Sequence, residues 1–370
     1  MNNSPAKPKR FEFIDQFRGF IVILMLLDHA SYYLNSVQKY LDPLDPLFSS
    51  WGQFILRYSS YLCAPGFLMM NGAMMWLTYQ KGKEKGLSNG NIKWNFIKRG
   101  LFLVLLQMTW VNSSWSGFAR IDLVHLGIIS SIGMSMILLS FIIHFKWPTR
   151  LIIAILILVI HPFLLQIKYD PENTWQMILM QTFIDAGEFN KYPVIPWFAV
   201  GILGSVMAPG WLRAWKTDKQ KILMSLGLAL IAFIVAAGIR MGRGYGNIFP
   251  FSEFGSYSFF LDQKYPPSLY FNIWFFGCVL VGVALFIALY KYIPKVLDVI
   301  GIVGKVPLFF YCMHIALLGI FSKRIDFYYR IGDLTETYIG AAILLTVMLL
   351  LSAWFWKVKQ RSSNFIIKMI

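Results

Sequence analysis

At 370 residues the chain is 57% hydrophobic and only 14% charged, with a mean hydropathy of +0.57. Ordinary soluble proteins carry about 25% charged residues, so the composition excludes a soluble globular class and points to a polytopic membrane protein. The formal net charge of +16 does not argue for nucleic acid, because the basic residues fall mostly in short segments between apolar runs, where they orient a membrane protein.

Taken in order, residues 1–11 read as a cytoplasmic tail with a basic patch at Lys7, Lys9 and Arg10. The patch and the apolar run after it resemble a signal peptide, but charge interrupts the run and no convincing small-residue cleavage site follows, so a retained first helix is expected. That helix covers residues 12–35 and carries charge at two depths: Asp15 and Arg18 near its start, Asp28 and His29 beyond the apolar run Phe20 to Leu27. Ionisable residues inside a bilayer cost about 2.5–3.5 kcal/mol on insertion scales and mark functional sites. Arg18 and His29 return to nearly the same helix face, about 16 Å apart along it, with Val22 and Met25 on the stripe between them. That arrangement suits a long ligand with an anionic head at Arg18 and a reactive tip at His29.

An acidic loop broken by Pro43 and Pro46 leads to a second helix over 52–79, with Arg57 near its start, Pro65 as a kink and Asn71 in its second half. A basic loop follows over 81–100, then a third helix over 99–115 and a fourth over 122–144 that starts with Arg120, Asp122 and His125. The fifth covers 150–167 and ends in His161–Pro162; an amphipathic patch at 174–187 suits the membrane interface. The sixth and seventh cover 193–212 and 221–240, the latter ending at Arg240. A long loop over 241–268, rich in Gly, Pro and aromatics, is of the kind that covers a site. The last three helices cover 269–290, 299–321 and 335–357. The pattern is an all-α bundle of about ten transmembrane helices over 12–357, and the basic bias of about two to one puts both termini, including a tail over 358–370, in the cytoplasm. Cys63, Cys278 and Cys312 lie in apolar stretches with no metal-ligand or disulfide spacing.

This topology gathers polar residues at two levels. His29, His125, His161 and His314 share the outer level with Asp28, Arg57, Arg120, Asp122 and Arg240; Lys98, Arg99 and Lys305 share the inner level with Arg18. Several have plainer roles open to them. His161 can satisfy the backbone opened by Pro162, His125 and His144 can be interfacial, and Arg57 and Arg240 can snorkel to the outer surface. Asp28 lies about 100° around the helix from His29 and can orient His314, Arg57 or Arg240 rather than do chemistry. A transporter of a small polar or anionic solute and a non-catalytic scaffold are the competing functions; no internal repeat of the transporter kind is visible.

The residues Asp15-Gln16-Phe17-Arg18-Gly19, followed by His29, resemble the opening of the transmembrane acyltransferase superfamily, whose members share an arginine and a histidine on the first membrane helix. LRYSSYLCAPGFLMMNGA (56–73), KRGLFLVLLQ (98–107), IPWFAVGILG (195–204), KYPPSLYF (264–271) and GKVPLFFYCMHI (304–315) resemble the heparan-alpha-glucosaminide N-acetyltransferase catalytic-domain branch. The resemblance implies a cell-membrane enzyme that moves an acetyl or other short acyl group from cytoplasmic acyl-CoA, without a metal, to the hydroxyl or amine of an extracytoplasmic glycan or amino sugar. The lysosomal branch places its active histidine in the first lumenal loop, and residues 36–50 contain none; His29 takes the superfamily position instead. The expected site is His29 as general base, or as an acyl-histidine nucleophile, with Asp28; Arg18, Lys98, Arg99 and Asn71 at the acyl-CoA; and His314, Arg57, His125 and Arg240 at the acceptor. Oxyanion donors are sought at Asn71, Ser59 or residues 110–112. The bilayer is the expected partner, nucleic acid is not, and a homo-oligomer is left open.

Overall fold

The computed structural model describes residues 11–37, 50–121 and 123–370. The basic patch at Lys7, Lys9 and Arg10, the proline-broken acidic loop and Asp122 lie outside the described residues. The described chain is all-α, and its β-type pairing is limited to isolated bridges such as Leu126 with Asn190.

Helix α1 spans Glu12–Leu34. The second expected helix is two, α2 (Trp51–Ser60) and α3 (Cys63–Glu84). The break falls at Tyr61–Leu62 and Pro65 sits in the first turn of α3, where its missing N–H costs little. Helix α4 (Asn89–Leu106) begins well inside the segment expected to be a basic loop, because the Ser88 side chain accepts a hydrogen bond from the Asn91 amide and caps it. A π-helical segment, Gln107–Val111, then joins α4 to the short α5 (Asn112–Trp115). Residues 123–127 are not the start of a helix. Leu126 forms an isolated bridge with Asn190, and α6 covers only Ile128–Ile142.

Helix α7 (Trp147–Leu164) passes through Pro162, and the buried His161 Nε2 donates to the Ile184 carbonyl at 2.8 Å. The amphipathic patch forms α8 (Thr174–Phe183), with Trp175, Leu179 and Phe183 exposed. Then come α9 (Val194–Pro209) with a π-helical end at Gly210–Ala214, α10 (Asp218–Met241) opened by a Thr217/Gln220 capping box, the short α11 (Tyr257–Phe260) and α12 (Leu269–Leu289). The ninth expected helix is again two, α13 (Pro294–Lys305) and α14 (Pro307–Leu318), the latter extended as a π-helix over Gly319–Arg324; the pair is bent by 81°. Pro307 cannot donate to the turn before it, so the helix restarts there in a new direction. Helix α15 (Leu334–Arg361) opens on an Asp333/Glu336 capping box, and α16 (Phe365–Met369) makes the expected tail helical.

Among the described residues six helices are long and apolar enough to cross a bilayer, or seven with the bent pair; Ile128–Ile142 is shorter. Helices α7, α10 and α15 expose rows such as Ile152, Ile155 and Leu156, or Leu230, Ile231 and Ile234. An apolar exterior of this kind is what a lipid solvent requires.

The centre is α1, packed on α13 and flanked by α3, α14 and α15. A Cβ on Gly19 would lie 2.0 Å from the Ile300 carbonyl oxygen, and one on Gly304 would lie 1.7 Å from the Asp15 carbonyl oxygen. Membrane helices approach this closely only through small residues. The expectation that Arg240 reaches a solute fails here. Its guanidinium is fully buried and donates to the carbonyls of Phe249, Ser258, Phe259 and Leu261 and to Asn247 Oδ1, with Asp262 at 3.5 Å. Asp262 in turn accepts from the amides of Ile248, Phe249 and Gln263. The pair organises the long loop 242–268 from inside.

Two outcomes follow. Gly19→Leu forces α1 off α13 and lowers the thermal unfolding midpoint in detergent, by the equivalent of about 3 kcal/mol. Arg240→Met leaves the helices in place but exposes the 242–268 loop to protease, read as a new cleavage in that loop at a protease level that spares the parent.

Candidate functional site

Helix α1 carries polar groups to two cavities, Asp28 and His29 to one and Arg18 to the other. The first, about 600 Å³, lies at its C-terminal end and is lined by Asp28, His29, Arg57, His125, Lys264 and Trp115, among others. The second, about 380 Å³, lies toward its N-terminal end and is lined by Arg18, Asn71, Arg99, Lys305 and Lys359, among others. Met25, Phe67, Ile128 and Tyr311 line both. Val22, expected on the same stripe as Met25, is buried and lines neither.

His29 is held from behind. Its Nδ1 lies 2.7 Å from Nε2 of His314, and Nδ1 of His314 lies 2.7 Å from the Phe310 carbonyl oxygen. A carbonyl only accepts, so His314 Nδ1 bears the hydrogen. In neutral His314 the Nε2 is then an acceptor, and His29 Nδ1 must donate to it. The remaining nitrogen of neutral His29, Nε2, is left with its lone pair. The same chain of bonds thus fixes both the tautomer and the ring plane, as an orienting group does for a catalytic imidazole. The rings of Trp115 and Tyr311 meet His29 edge-on at 5.1 and 6.0 Å. His314, expected at the acceptor, is fully buried and stands behind His29 rather than in the cavity wall.

Asp28 pairs with Arg57 at 3.4 Å, and Arg57 lies over the Tyr61 ring. Of the partners weighed for Asp28, the helix turn of about 100° per residue brings it to Arg57. His125 lines the cavity from the segment before α6; its Nδ1 bonds the Glu188 carbonyl at 2.8 Å. Five basic residues line this chamber, Arg57, Arg120, Lys191, Lys264 and Lys323, against one carboxylate, Asp28. Lys264 is only 3% exposed. Burial opposes its charge, but Tyr265 and the Asp28 carboxylate outweigh that and hold its pKa above the ordinary lysine value.

In the second chamber Arg18, Arg99, Lys305 and Lys359 supply four cations, with no carboxylate side chain in the wall. Arg18 also pairs with Asp15 at 3.6 Å. Lys98 is a correction. It is exposed, its Nζ lies over the Trp94 ring, and it is outside the wall, because one step of about 100° from Arg99 turns it away. Asn71 lines this chamber, and its nearest partner is the Met75 sulfur at 3.9 Å.

Of the other candidate oxyanion donors, Asn112 lines the first chamber and Ser59 and Trp110 do not. The Ser59 hydroxyl donates to the Leu56 carbonyl, Trp110 Nε1 to Cys312 and Asn112 Nδ2 to His125. One polar group not expected at the site is Gln107. The π-helical turn carries it into the wall of the first chamber, 1% exposed, where its Nε2 donates to Asn112 Oδ1 and its Oε1 has no partner among the described residues. π-turns concentrate at functional sites, but they leave no mark in hydrophobic periodicity. Lys264, Trp115 and Tyr311 were likewise unmarked. Among the described residues no group of three His, Cys, Asp or Glu is placed to hold a metal ion, and the three cysteines are free.

No curated protein matches the chain. The family described as heparan-alpha-glucosaminide N-acetyltransferase, catalytic, matches residues 10–234. That stretch holds α1 with Arg18, Asp28 and His29, and it stops within α10, before Lys264, Tyr311 and His314. With more than half of its length matched, the chain belongs to the heparan-alpha-glucosaminide N-acetyltransferase catalytic family of membrane acetyltransferases.

Proposed function

We propose that the protein transfers a short acyl group, acetyl in the first instance, from acyl-CoA bound at the Arg18 chamber to a glycan hydroxyl or amine bound at the His29 chamber. The observation that carries this reading is the pair of cavities that meet at Met25, Phe67, Ile128 and Tyr311, with His29 one helical turn beyond Met25. A reaction between substrates from opposite sides of a membrane needs such a pair. On this reading the less apolar helices also cross, about ten crossings in all, and the basic bias favours a cytoplasmic side for the Arg18 chamber and both termini.

The CoA phosphates pair with Arg18, Arg99, Lys305 and Lys359, since charge-assisted hydrogen bonds to phosphate are the strong ones. The pantetheine arm extends past Asn71 to the residues where the two cavities meet. There the acceptor hydroxyl or amine attacks the thioester carbonyl carbon while His29 Nε2 takes its proton. The tetrahedral adduct collapses with cleavage of the C–S bond, and the His29 imidazolium returns the proton to the departing thiolate. The products are free CoA and the acylated acceptor. His314 is a positioning residue, and its Nε2 stabilises the imidazolium as it forms. The excess of cations in the acceptor chamber favours a glycan bearing carboxylate or sulfate groups.

In sealed vesicles with acetyl-CoA on one side and acceptor glycan on the other, His29→Ala lowers transfer by about 10²–10⁴-fold, the usual worth of a general base. Normal transfer by that variant, at equal protein level, would refute the reading. His314→Gln, whose amide oxygen can still accept from His29 Nδ1, retains more activity than His314→Leu; equal rates for the two would remove His314 from the mechanism. Lys305→Ala raises the KM for acetyl-CoA by about tenfold, the value of one hydrogen bond to a charged group, and leaves the acceptor KM in place.

A further inference from the structure

The four residues shared by the two chambers come from four separate elements: Met25 from α1, Phe67 from α3, Ile128 from the first turn of α6 and Tyr311 from α14. None is charged, yet the chambers on either side are lined by five and four basic residues. A charged group in this ring would leave its counter-ions and its water behind, which is costly. An anionic nucleotide therefore stays in one chamber and an anionic acceptor in the other. The uncharged acyl end of the donor is the part that can enter the ring.

The ring is also where reaction must occur. Met25 precedes His29 by four residues, so it lies on the same helix face about 6 Å below it. Tyr311 touches the His29 ring edge and, at 5.7 Å, that of His314. Tyr311 thus packs against both imidazoles of the bonded pair, and Ile128 is branched at Cβ and stiff at χ1. Phe67 is half-buried, and Met25 is unbranched with three rotatable bonds. Two walls of the ring are fixed and two can adjust.

We infer that this ring gauges the transferred acyl group, with Met25 and Phe67 as the residues that set the chain length and branching admitted beside His29. The inference rests on the transferase reading above and adds a specificity determinant to it. The bonds made and broken are unchanged: the acyl carbon exchanges its C–S bond for a C–O or C–N bond, and His29 carries the proton from nucleophile to thiolate.

The test compares acetyl-CoA, butyryl-CoA and isobutyryl-CoA as donors for the full chain in vesicles and for Met25→Ala, Phe67→Ala and Met25→Phe. The readout is the ratio of kcat/KM between donors within each variant, which does not depend on how much of the variant folds. Met25→Ala and Phe67→Ala raise the butyryl-to-acetyl and isobutyryl-to-acetyl ratios by about tenfold or more, the usual discrimination of an apolar pocket per carbon. Met25→Phe lowers both. Wild-type transfer of acetyl with ratios that stay within about twofold in both alanine variants would overturn the gauge alone. A wild-type protein that transfers no acyl group from any of the donors would instead overturn the transferase reading.

Discussion

A hydrogen bond between two imidazoles, 2.7 Å long, ties α1 to α14 at the centre of the bundle. The geometry on either side of it serves to make that bond possible. Gly19 and Gly304 bring α1 against α13 closely enough for backbone contact, and the turn at Pro307 swings α14 across so that His314 faces His29. The π-helical turn after α4 rotates α5 until Trp115 closes on the other side of the imidazole, while Trp110 Nε1 bonds the Cys312 carbonyl and fastens that turn to α14. With the Phe310 carbonyl as the last acceptor, the lone pair of neutral His29 is assigned to Nε2 by the requirement that every buried donor meet an acceptor.

Charge is sorted with equal care. Both chambers are basic, and the residues that they share are uncharged. A polar group in a low-dielectric interior is costly unless satisfied, so a continuous polar passage through the bundle would have to be wet throughout. The four lining residues that the chambers share carry no charge. The loop 242–268 contributes Lys264 and Tyr265 to the His29 chamber, and that loop holds its shape because Arg240 and Asp262 satisfy its buried carbonyls and amides from within. Arg240 shapes the chamber without lining it.

The helix α1 stripe was legible because depth and spacing are properties of one helix: residues Arg18, Met25 and His29 share a face whatever surrounds them. The resemblance in residues 56–73, 98–107 and 195–204 falls inside the matched family region, whereas 264–271 and 304–315 lie beyond it. Legibility failed where a partner decides. The basic segment before residue 100 looked like a loop by charge, yet Ser88 caps α4 from Asn89 onward, and lysines at a membrane edge do not break a helix. Residues 123–127 looked like a helix start, yet Leu126 bridges to Asn190. Arg240 and His314 had the expected depth but not the expected direction, because depth along a helix says nothing of which neighbour a side chain turns to.

The sequence alone determined the class of the protein, the two levels at which ionisable groups collect and the identity of the helix that joins them, since composition and a helical repeat of about 3.6 residues need no partner to be read. Only the tertiary structure decided that Met25, Phe67, Ile128 and Tyr311 stand where the two cavities meet, that Gln107 faces the site, and that His314 backs His29. Those facts depend on where separate helices cross, and the crossings follow from glycine contacts, a proline break and a π-turn whose consequences appear only when the elements are packed together.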